Sequence, residues 1–319
     1  MQDSSETAEA PTRDPNRFSP IFVLAPARSY TSVITTMIGQ HPELAGLPEL
    51  KLFSCSTVSD LVEPLPSHWI ERGVRHRSPG LVRAVAQLEF GDQSVVSISQ
   101  ALQWLRERSH WSGEDVFDAL QERLSPRVGV EKSPENVLDD GDLGRMVAAY
   151  PRARYLHLTR HPLTTQRSMQ AHRARTWQTD WRDEPMAGIR SWCEIHQRII
   201  NFAAELPAER YFRVRAEDVL NDPDAKLRSI AAWLKVRVDD DAIGAMKHPE
   251  VSPFASSGTA DGGTFGGNDL DFLSDPKPHP VDIPSTLEPP PGWSAKQSEW
   301  GFVEQLANQL GYFDAKAKS

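Results

Sequence analysis

The sequence predicts an α/β fold of three layers, in which helices cover both faces of a central parallel sheet. Short apolar runs bounded by turn residues are typical of buried strands, and they alternate along the chain with longer amphipathic stretches typical of helices. Such alternation favours parallel strands that are joined by crossover helices. The predicted strands are 21–25, 128–131, 155–159 and 211–215. The predicted helices are 33–39, 79–90, 104–123 with a break near residue 112, 163–175, 188–205, 224–234 and 294–310.

Each of the first elements has its own local signal. The first strand is the short apolar run IFVLA, and the helix after it ends at Gly39, as helices often do. The runs VGVE and YLHLT give the second and third strands, whereas YFRVR alternates with a period of two. Pro162 suits the first turn of the helix after the third strand, because its missing N–H is not needed there.

Composition and charge exclude several classes of protein. The chain has 319 residues, of which 25% are charged and 39% hydrophobic, which is typical of a globular protein. Its formal net charge of -9 argues against a general nucleic-acid or anionic-membrane binder, although a local basic pocket is compatible with it. The two cysteines are too few for a disulfide framework and stand in no CxxC pair. We therefore expect no nucleic acid, no membrane and no cysteine-rich metal site.

The N-terminal segment 1–17 is predicted to be disordered. It is rich in Asp, Glu, Ser, Thr and Pro and has no apolar run, so it does not resemble a signal peptide. No later stretch approaches the roughly 18 apolar residues of a membrane span, and the expected location is the cytoplasm. We expect 18–319 to form a single domain, with Gly- and Pro-rich loops at 248–292 and a C-terminal helix at 294–310.

The segment between the first strand and the first helix is the most informative part of the sequence. A buried strand that leads through a short loop into a helix directs several backbone N–H groups at one point, where the helix dipole adds positive potential. Such a loop suits a phosphate. Arg28, Ser29, Thr31 and Ser32 add a guanidinium and three hydroxyls to it. The alternative is that Ser29 or Thr31 serves only as the N-cap of the helix.

This loop differs from the Walker A loop of ATP- and GTP-hydrolysing proteins. Walker A requires GxxxxGK[ST], and the loop has neither those glycines nor that lysine. No aspartate at the end of a later strand stands out as a Mg²⁺ ligand. We therefore predict a phosphate-bearing ligand whose chemistry needs no metal. A P-loop small-molecule kinase and a non-catalytic nucleotide-binding module are the alternatives from other functional classes.

A second candidate phosphate site follows the third strand. Arg160 stands at the carboxyl end of that strand, where open α/β sheets bind ligands. Ser168 lies about two turns along the next helix and can add a hydrogen bond to the same group. The alternative for Arg160 is an ordinary surface ion pair. The pair predicts a ligand with a second phosphate.

Four segments, in this order along the chain, resemble the motifs of sulfotransferases. APARSYTSV at 25–33 is similar to their 5′-phosphosulfate loop, usually PRSGTT or PKSGTT. VEKSPEN at 130–136 is similar to their EKTP or DKSP motif, and LTRHPLTTQRS at 158–168 to their 3′-phosphate motif. RVRAEDVLNDP at 213–223 is similar to their fourth-strand pattern. The resemblance covers about residues 18–236 and implies the P-loop NTPase-like sulfotransferase fold.

Two loop positions depart from the family pattern. Tyr30 stands where glycine is usual, and Ala27 stands where proline is usual. Glycine suits a positive φ or a close approach of the backbone to a ligand. The departure at Tyr30 predicts either a changed loop geometry or a ring directed at the acceptor pocket.

The resemblance implies a donor, a reaction and a set of site residues. The donor is 3′-phosphoadenosine 5′-phosphosulfate, whose sulfuryl group passes in line to an acceptor oxygen with no metal. The implied donor-binding residues are Arg28, Ser29, Tyr30, Thr31, Ser32, Arg160 and Ser168. Arg28 and Lys132 are the implied cations near the transferred group, and Glu49 is the implied general base. His161 and His172 are rivals for the base, since a neutral histidine suits that role near pH 7.

The acceptor is expected to be a hydroxyl on a small molecule or on an acyl chain held by a carrier protein. Family members build the acceptor pocket between the loop and the second strand, so 54–127 is implied to be a helical acceptor-pocket insertion. It carries several aromatic residues, most of which are expected to be core residues of a helical cap, namely Trp69, Phe90, Trp104, Trp111 and Phe117. GLVRA at 80–84, with the EKSP motif, looks most like the sulfotransferase domains of polyketide synthases. Specialised metabolism is the expected context, and a carbohydrate hydroxyl is the second candidate acceptor.

Overall fold

Five parallel strands form the central sheet of the computed structural model, which describes residues 8–63, 77–176, 186–257, 266–289 and 297–313. The strands are β1 (Ile21–Leu24), β2 (Leu44–Gly46), β3 (Val128–Glu131), β4 (Arg154–Thr159) and β5 (Tyr211–Arg215). Their order is β2-β3-β1-β4-β5, and all the pairs are parallel. Because β3 and β4 flank β1, the residues that follow these three strands meet at one edge of the sheet.

Helices connect the strands, and most of them lie where periodicity predicts them. The first group is α1 (Thr31–Gly39), α2 (Ser59–Val62), α3 (Pro79–Phe90), α4 (Val95–Glu107), α5 (Gly113–Leu124) and α6 (Asp140–Ala149). The second group is α7 (Pro162–Thr176), α8 (Ala187–Ala204), α9 (Ala216–Asn221), α10 (Pro223–Leu234), α11 (Asp240–Met246), α12 (Leu270–Ser274) and α13 (Gln297–Gln309). Short 3-10 turns occur at Leu52–Ser54, Pro134–Val137, Ala208–Arg210 and Pro249–Val251.

Both faces of the sheet are buried, so the predicted three-layer architecture is confirmed. Successive residues of a strand face opposite sides. Phe22 therefore packs in one apolar cluster, with side chains from α3–α6 and α8, and Val23 packs in another, with side chains from α1 and α9–α11. On the first face Phe22 lies against Phe53, with ring centroids 5.1 Å apart.

Several element boundaries differ from the predicted ones. The helix predicted to begin at 104 begins at Val95, whereas the predicted break near residue 112 is confirmed, because Ser112 forms a capping box with Asp115 and begins α5. The strand β2 was not predicted, since three residues are too few for a periodic signal. The helix α6 was not predicted either, because its glycines and acidic residues weaken the apolar pattern.

Residues 8–17, part of the segment 1–17 that was expected to be disordered, contact the helical layer. The Ala8 carbonyl accepts a hydrogen bond from Trp111 Nε1 at 2.9 Å. Arg13 Nε lies 2.7 Å from Asp118 Oδ2, and its guanidinium stacks 5.0 Å from the Tyr150 ring centroid. These contacts outweigh the polar composition of the segment. In the described part of the chain, no helix combines the length and apolar character of a membrane span.

Candidate active site

The loop between β1 and α1 contains two residues in the left-handed backbone region. Arg28 has a φ of 68° and Tyr30 a φ of 57°. This conformation costs a residue with a side chain about 1–2 kcal/mol, which explains why glycine is usual at such a position. The Tyr30 ring compensates by packing against the Arg160 guanidinium, 3.9 Å from the ring centroid. Tyr30 thus keeps a left-handed loop conformation and has its ring against Arg160, a residue of the predicted second phosphate site.

The hydroxyl groups of this loop do not act as helix caps. Tyr30 is the N-cap of α1, and no side chain caps the helix, so the alternative role for Ser29 and Thr31 is wrong. Ser29 is fully buried, and its Oγ has no hydrogen-bond partner among the described residues. Thr31 and Ser32 are also buried. An unpartnered buried hydroxyl beside uncapped helical N–H groups is the environment that an anion would satisfy.

Arg28 is held by groups that come from two distant elements. Its Nε donates to Ser168 Oγ of α7 at 3.0 Å. Its Nη2 lies 2.6 Å from Asp271 Oδ2, and its Nη1 pairs with Asp269. Asp271 also pairs with Arg175 at 2.7 Å, and hydrogen bonds from Arg175 and Arg28 hold its pKa below the ordinary value. Two carboxylates, those of Asp269 and Asp271, therefore form ion pairs with the Arg28 guanidinium in this structure.

Arg160 supports the loop and lines the same cleft. Its Nη1 donates to the Arg28 carbonyl at 2.6 Å, and its Nε donates to Thr164 Oγ1 at 3.2 Å. We call the space beside it the anion cleft, a volume of about 280 Å³ bordered by Arg28, Tyr30, Ser32, Arg160, Ser168, Asp269, Asp271, Lys277 and His279, among others. The structure thus brings Arg160 and Ser168 together with Arg28.

Lys132 and Glu49 form an ion pair next to the loop. Lys132 Nζ lies 2.6 Å from Glu49 Oε1 and donates to Ser32 Oγ at 3.0 Å. The Lys132 side chain is only 2% exposed, and that of Glu49 is 22% exposed. Burial acts to raise the pKa of Glu49, but the charge and hydrogen bond of Lys132 outweigh it and the pKa is lowered. Glu49 is therefore a carboxylate at neutral pH, and it faces a cavity.

A second carboxylate, Glu131, lies beneath the segment that carries Glu49. It is fully buried, and burial raises its pKa to about 7 against opposing hydrogen bonds from Ser133 and Asn136. Leu50 N donates to Glu131 Oε1 at 3.4 Å, and Lys51 N donates to Ser133 Oγ at 2.9 Å. The EKSP motif thus holds the backbone N–H groups of the two residues that follow Glu49. This role of Glu131 was not predicted, although the motif that contains it was.

A cavity of about 900 Å³ opens beside Arg28 and Glu49. Apolar side chains on its walls come from the 134–138 segment, α7, α8 and α12, namely Pro134, Leu138, Met169, Ile195 and Leu270. Polar groups on the walls include His172, Arg173 and Ser191. The walls are thus provided mainly by elements that follow the EKSP motif.

The predicted acceptor region, 54–127, does not border this cavity in its described part. Its aromatic side chains pack elsewhere because α3–α5 cover one face of the sheet. Phe117 is fully buried against Phe22, with ring centroids 5.8 Å apart, and Trp111 packs on Trp104 at 5.9 Å. Trp69 lies outside the described residues. One described helix of this region, α3, contacts the backbone of Glu49 at Gly80.

The two rival histidines have different surroundings. His161 is fully buried, with rings of Tyr312 and Phe313 5.5 Å away, and burial lowers its pKa to about 4. It does not border the cavity. His172 does border the cavity, and burial, followed by the charge of Arg28, lowers its pKa. Of the three candidate bases, Glu49 is the one joined to Lys132 and the phosphate loop.

Together, the fold and the site define an α/β protein with a carboxylate–ammonium pair beside the β1–α1 loop, at the edge of a large cavity. A family model described as the sulfotransferase family matches residues 20–240, so the chain belongs to that family. The protein is a sulfotransferase, an enzyme that moves a sulfuryl group.

Two solved structures show the same fold over nearly the whole chain. The sulfotransferase domain from the curacin biosynthetic pathway is 22% identical, with a TM-score of 0.72, over 93% of this chain and 99% of that one. The sulfotransferase domain from the Synechococcus PCC 7002 olefin synthase is 25% identical, with a TM-score of 0.67, over 95% of this chain and 97% of that one. No curated protein matches the chain significantly.

Proposed function

We propose that this enzyme transfers the sulfuryl group of 3′-phosphoadenosine 5′-phosphosulfate to a hydroxyl on a small molecule or a carrier-bound acyl chain. One observation carries the proposal. In the Glu49–Lys132 ion pair, Lys132 donates a hydrogen bond to the hydroxyl of Ser32, and Glu49 borders the large cavity. A base and a cation therefore stand where an acceptor in the cavity would meet a donor on the loop.

The residues present fit such a donor. When bound, it supplies the activated sulfuryl group on a leaving phosphate. Ser29 Oγ is buried without a partner among the described residues, and Arg28, Arg160 and Ser168 border one cleft. These groups suit two anionic ends of one ligand. Asp269 and Asp271 pair with Arg28 in this structure, so an anion must displace them from the guanidinium.

The chemistry assigned to the side chains follows from their charges. Glu49 is ionised at neutral pH and can take the proton of an acceptor hydroxyl. Lys132 holds Glu49 in place and keeps a positive charge beside Ser32 of the loop. Arg28 and Lys132 stabilise negative charge that develops near the loop. The buried setting makes each of these interactions stronger than in water.

The walls of the cavity favour an acceptor with an apolar body. Leu138, Met169, Ile195 and Leu270 border it, and Leu138 and Leu270 are among the exposed large apolar residues of the protein. An alkyl chain covers such side chains better than a sugar does, because sugar hydroxyls would lose hydrogen bonds to water. Both structural neighbours are domains of biosynthetic systems. These observations support a hydroxyacyl chain, with an acyl carrier protein as partner, in specialised metabolism.

The test compares the wild type with Glu49→Gln. Removal of the base should lower kcat by about 10²- to 10⁴-fold, the usual contribution of general-base catalysis. Binding of 3′-phosphoadenosine 5′-phosphate, measured by calorimetry without metal, should change little. Turnover is followed with hydroxyacyl chains on a carrier protein and on a short thioester.

Two controls make this test decisive. Glu63→Gln changes a carboxylate that does not border the cavity and should leave kcat unchanged. ATP with Mg²⁺, titrated in parallel, tests the kinase alternative. Full turnover by Glu49→Gln would contradict the assignment of the base. If ATP with Mg²⁺ binds and 3′-phosphoadenosine 5′-phosphate does not, the assignment of the donor is contradicted.

A further inference from the structure

Arg83 of α3 is a fully buried cation, and the groups that hold it among the described residues are neutral. Its Nε donates to Gln93 Oε1 at 2.6 Å, and its Nη1 donates to the Gly266 carbonyl at 2.6 Å. Its Nη2 has no hydrogen-bond partner among the described residues. Burial lowers the pKa of Arg83 to about 10. A buried guanidinium that has no carboxylate partner among the described residues costs free energy, so stability alone does not account for it.

The carbonyl that Arg83 holds begins a segment, 266–271, that touches the parts of the candidate active site. The Gly267 carbonyl accepts a hydrogen bond from Glu49 N at 2.8 Å. Asp269 N donates to Ser32 Oγ at 3.0 Å, and the same oxygen accepts from Lys132 Nζ at 3.0 Å. The segment therefore contacts both the backbone of Glu49 and the hydroxyl that holds Lys132.

Close packing joins α3, this segment and Glu49 into one unit. A Cβ atom at Gly267, whose φ is 86°, would lie 2.5 Å from Gly80 Cα. A Cβ atom at Gly80 would in turn lie 2.2 Å from the Glu49 carbonyl oxygen. Arg83 follows Gly80 by three residues on the same helix, so both act on adjacent parts of the segment. A shift of the 266–271 segment would move Glu49.

We propose that Arg83 is a positioning residue for the Glu49–Lys132 pair. By holding the Gly266 carbonyl, it fixes the 266–271 segment against α3, and through the Gly267 carbonyl and Asp269 N it fixes the base and the loop hydroxyl. Arg83 itself does not border the cavity or the anion cleft. The catalytic part of this inference rests on the proposed role of Glu49, whereas the positional part does not.

The experiment measures Arg83→Met for turnover, pH profile and amide hydrogen exchange. We expect kcat to fall about 10- to 100-fold, the range associated with misplacement of a catalytic group. The acidic limb of the kcat profile should move to higher pH, because Glu49 loses part of its contact with Lys132. The Glu49 amide should exchange faster, whereas the melting temperature should stay near that of the wild type. Arg83→Lys keeps a donor for the Gly266 carbonyl and should recover most of the lost turnover.

A matched control and a second variant complete the design. Arg210 is a half-buried arginine that donates to the Ala153 carbonyl at 2.9 Å. Ala153 precedes β4 and Arg210 precedes β5, so both residues lie at the edge of the sheet opposite the site. Arg210→Met should leave both kcat and Glu49 exchange unchanged. Gln93→Leu removes the acceptor that orients Arg83, and it should reproduce the faster Glu49 exchange whether or not Arg83→Met folds.

The outcomes separate this inference from the proposed function. Unchanged kcat and unchanged Glu49 exchange in folded Arg83→Met would overturn the positioning role, as would unchanged exchange in Gln93→Leu. If the wild type transfers no sulfuryl group, the proposed function fails. The exchange measurement then still decides whether Arg83 positions Glu49.

Discussion

Lys132 and Arg160 hold the phosphate loop from the two strands that flank β1. Lys132 follows β3 and donates to Ser32 Oγ at 3.0 Å, whereas Arg160 follows β4 and donates to the Arg28 carbonyl at 2.6 Å. The strand order places β1 between them. Each cation therefore has two tasks, since it fixes loop atoms and also contributes positive charge to the site. Arg160 further supports the strained conformation of Tyr30 through its ring contact.

Substitution of Arg160 tests the proposed second phosphate site. Arg160→Ala should weaken binding of 3′-phosphoadenosine 5′-phosphate by about 1.5–3 kcal/mol, the value of a hydrogen bond to a charged group. Calorimetric titration measures it. Arg154 stands at the other end of β4 and donates to the Leu234 carbonyl at 2.6 Å, so Arg154→Ala is the matched control. An unchanged affinity in Arg160→Ala would remove this residue from the site.

At the scale of elements, α12 and the residues before it bring carboxylates to the anion cleft. Asp269 and Asp271 both pair with Arg28, and Asp271 also pairs with Arg175. The same region donates a backbone N–H to Ser32 and accepts one from Glu49. The backbone of this region therefore holds Ser32 and Glu49 in place, whereas its carboxylates compete with a bound anion for Arg28.

Asp271→Asn should consequently strengthen binding of 3′-phosphoadenosine 5′-phosphate. Asp271 is half-exposed, so the gain should be about 0.2–1 kcal/mol, as for other exposed ion pairs. The difference should shrink as salt is added. Asp240 makes a comparable pair with Arg228 at 2.7 Å far from the cleft, and Asp240→Asn should not change the affinity. Weaker binding by Asp271→Asn would show that the carboxylate supports the donor site.

For the whole molecule, buried titratable groups link stability to pH in two opposite directions. His157 Nε2 and His196 Nδ1 are 2.8 Å apart, and burial lowers the pKa of His157 well below its ordinary value and that of His196 to about 3. Below the unfolded pKa of about 6.5, the unfolded chain binds protons at these histidines that the folded chain excludes. The free energy of unfolding therefore falls as pH drops below about 6.5. Glu131 has the opposite sign, because its raised pKa of about 7 means that its contribution is lost as pH rises from about 4.5 to 7.

A histidine variant isolates one of these contributions. In the wild type, His196 should cost about 2 kcal/mol of unfolding free energy at pH 5 relative to pH 8, because the unfolded chain takes up a proton that the folded chain excludes. Urea unfolding of His196→Gln should lack this part of the pH dependence. His110 is exposed, so the control variant His110→Gln should keep the wild-type dependence of the unfolding free energy on pH. Equal slopes for His196→Gln and the wild type would contradict the assignment.

The predictable part of the site is the part that has a local signal. Arg28, Lys132 and Arg160 each follow a short apolar strand, and the carboxyl ends of neighbouring parallel strands meet at one edge. Their grouping could therefore be predicted before the structure was known. Glu49 came from a motif resemblance alone, and its pairing with Lys132 was not predicted. The strand β2 was not predicted, because its three residues carry no periodic signal and are a strand only through their pairing with β3.

The sequence by itself determined the three-layer α/β class, the strand–loop–helix unit at the start of the sheet and the family, because strand and helix periodicity and short motifs are local properties. Only the tertiary structure decided which elements surround the cavity: in the described part of the chain, α7, α8, α12 and the 134–138 segment border it, whereas the described residues of 54–127 do not. It also decided that Gly266 and Gly267 reach Arg83 and Glu49. Such contacts join residues far apart in the chain, and their existence depends on how whole elements pack and not on any local pattern.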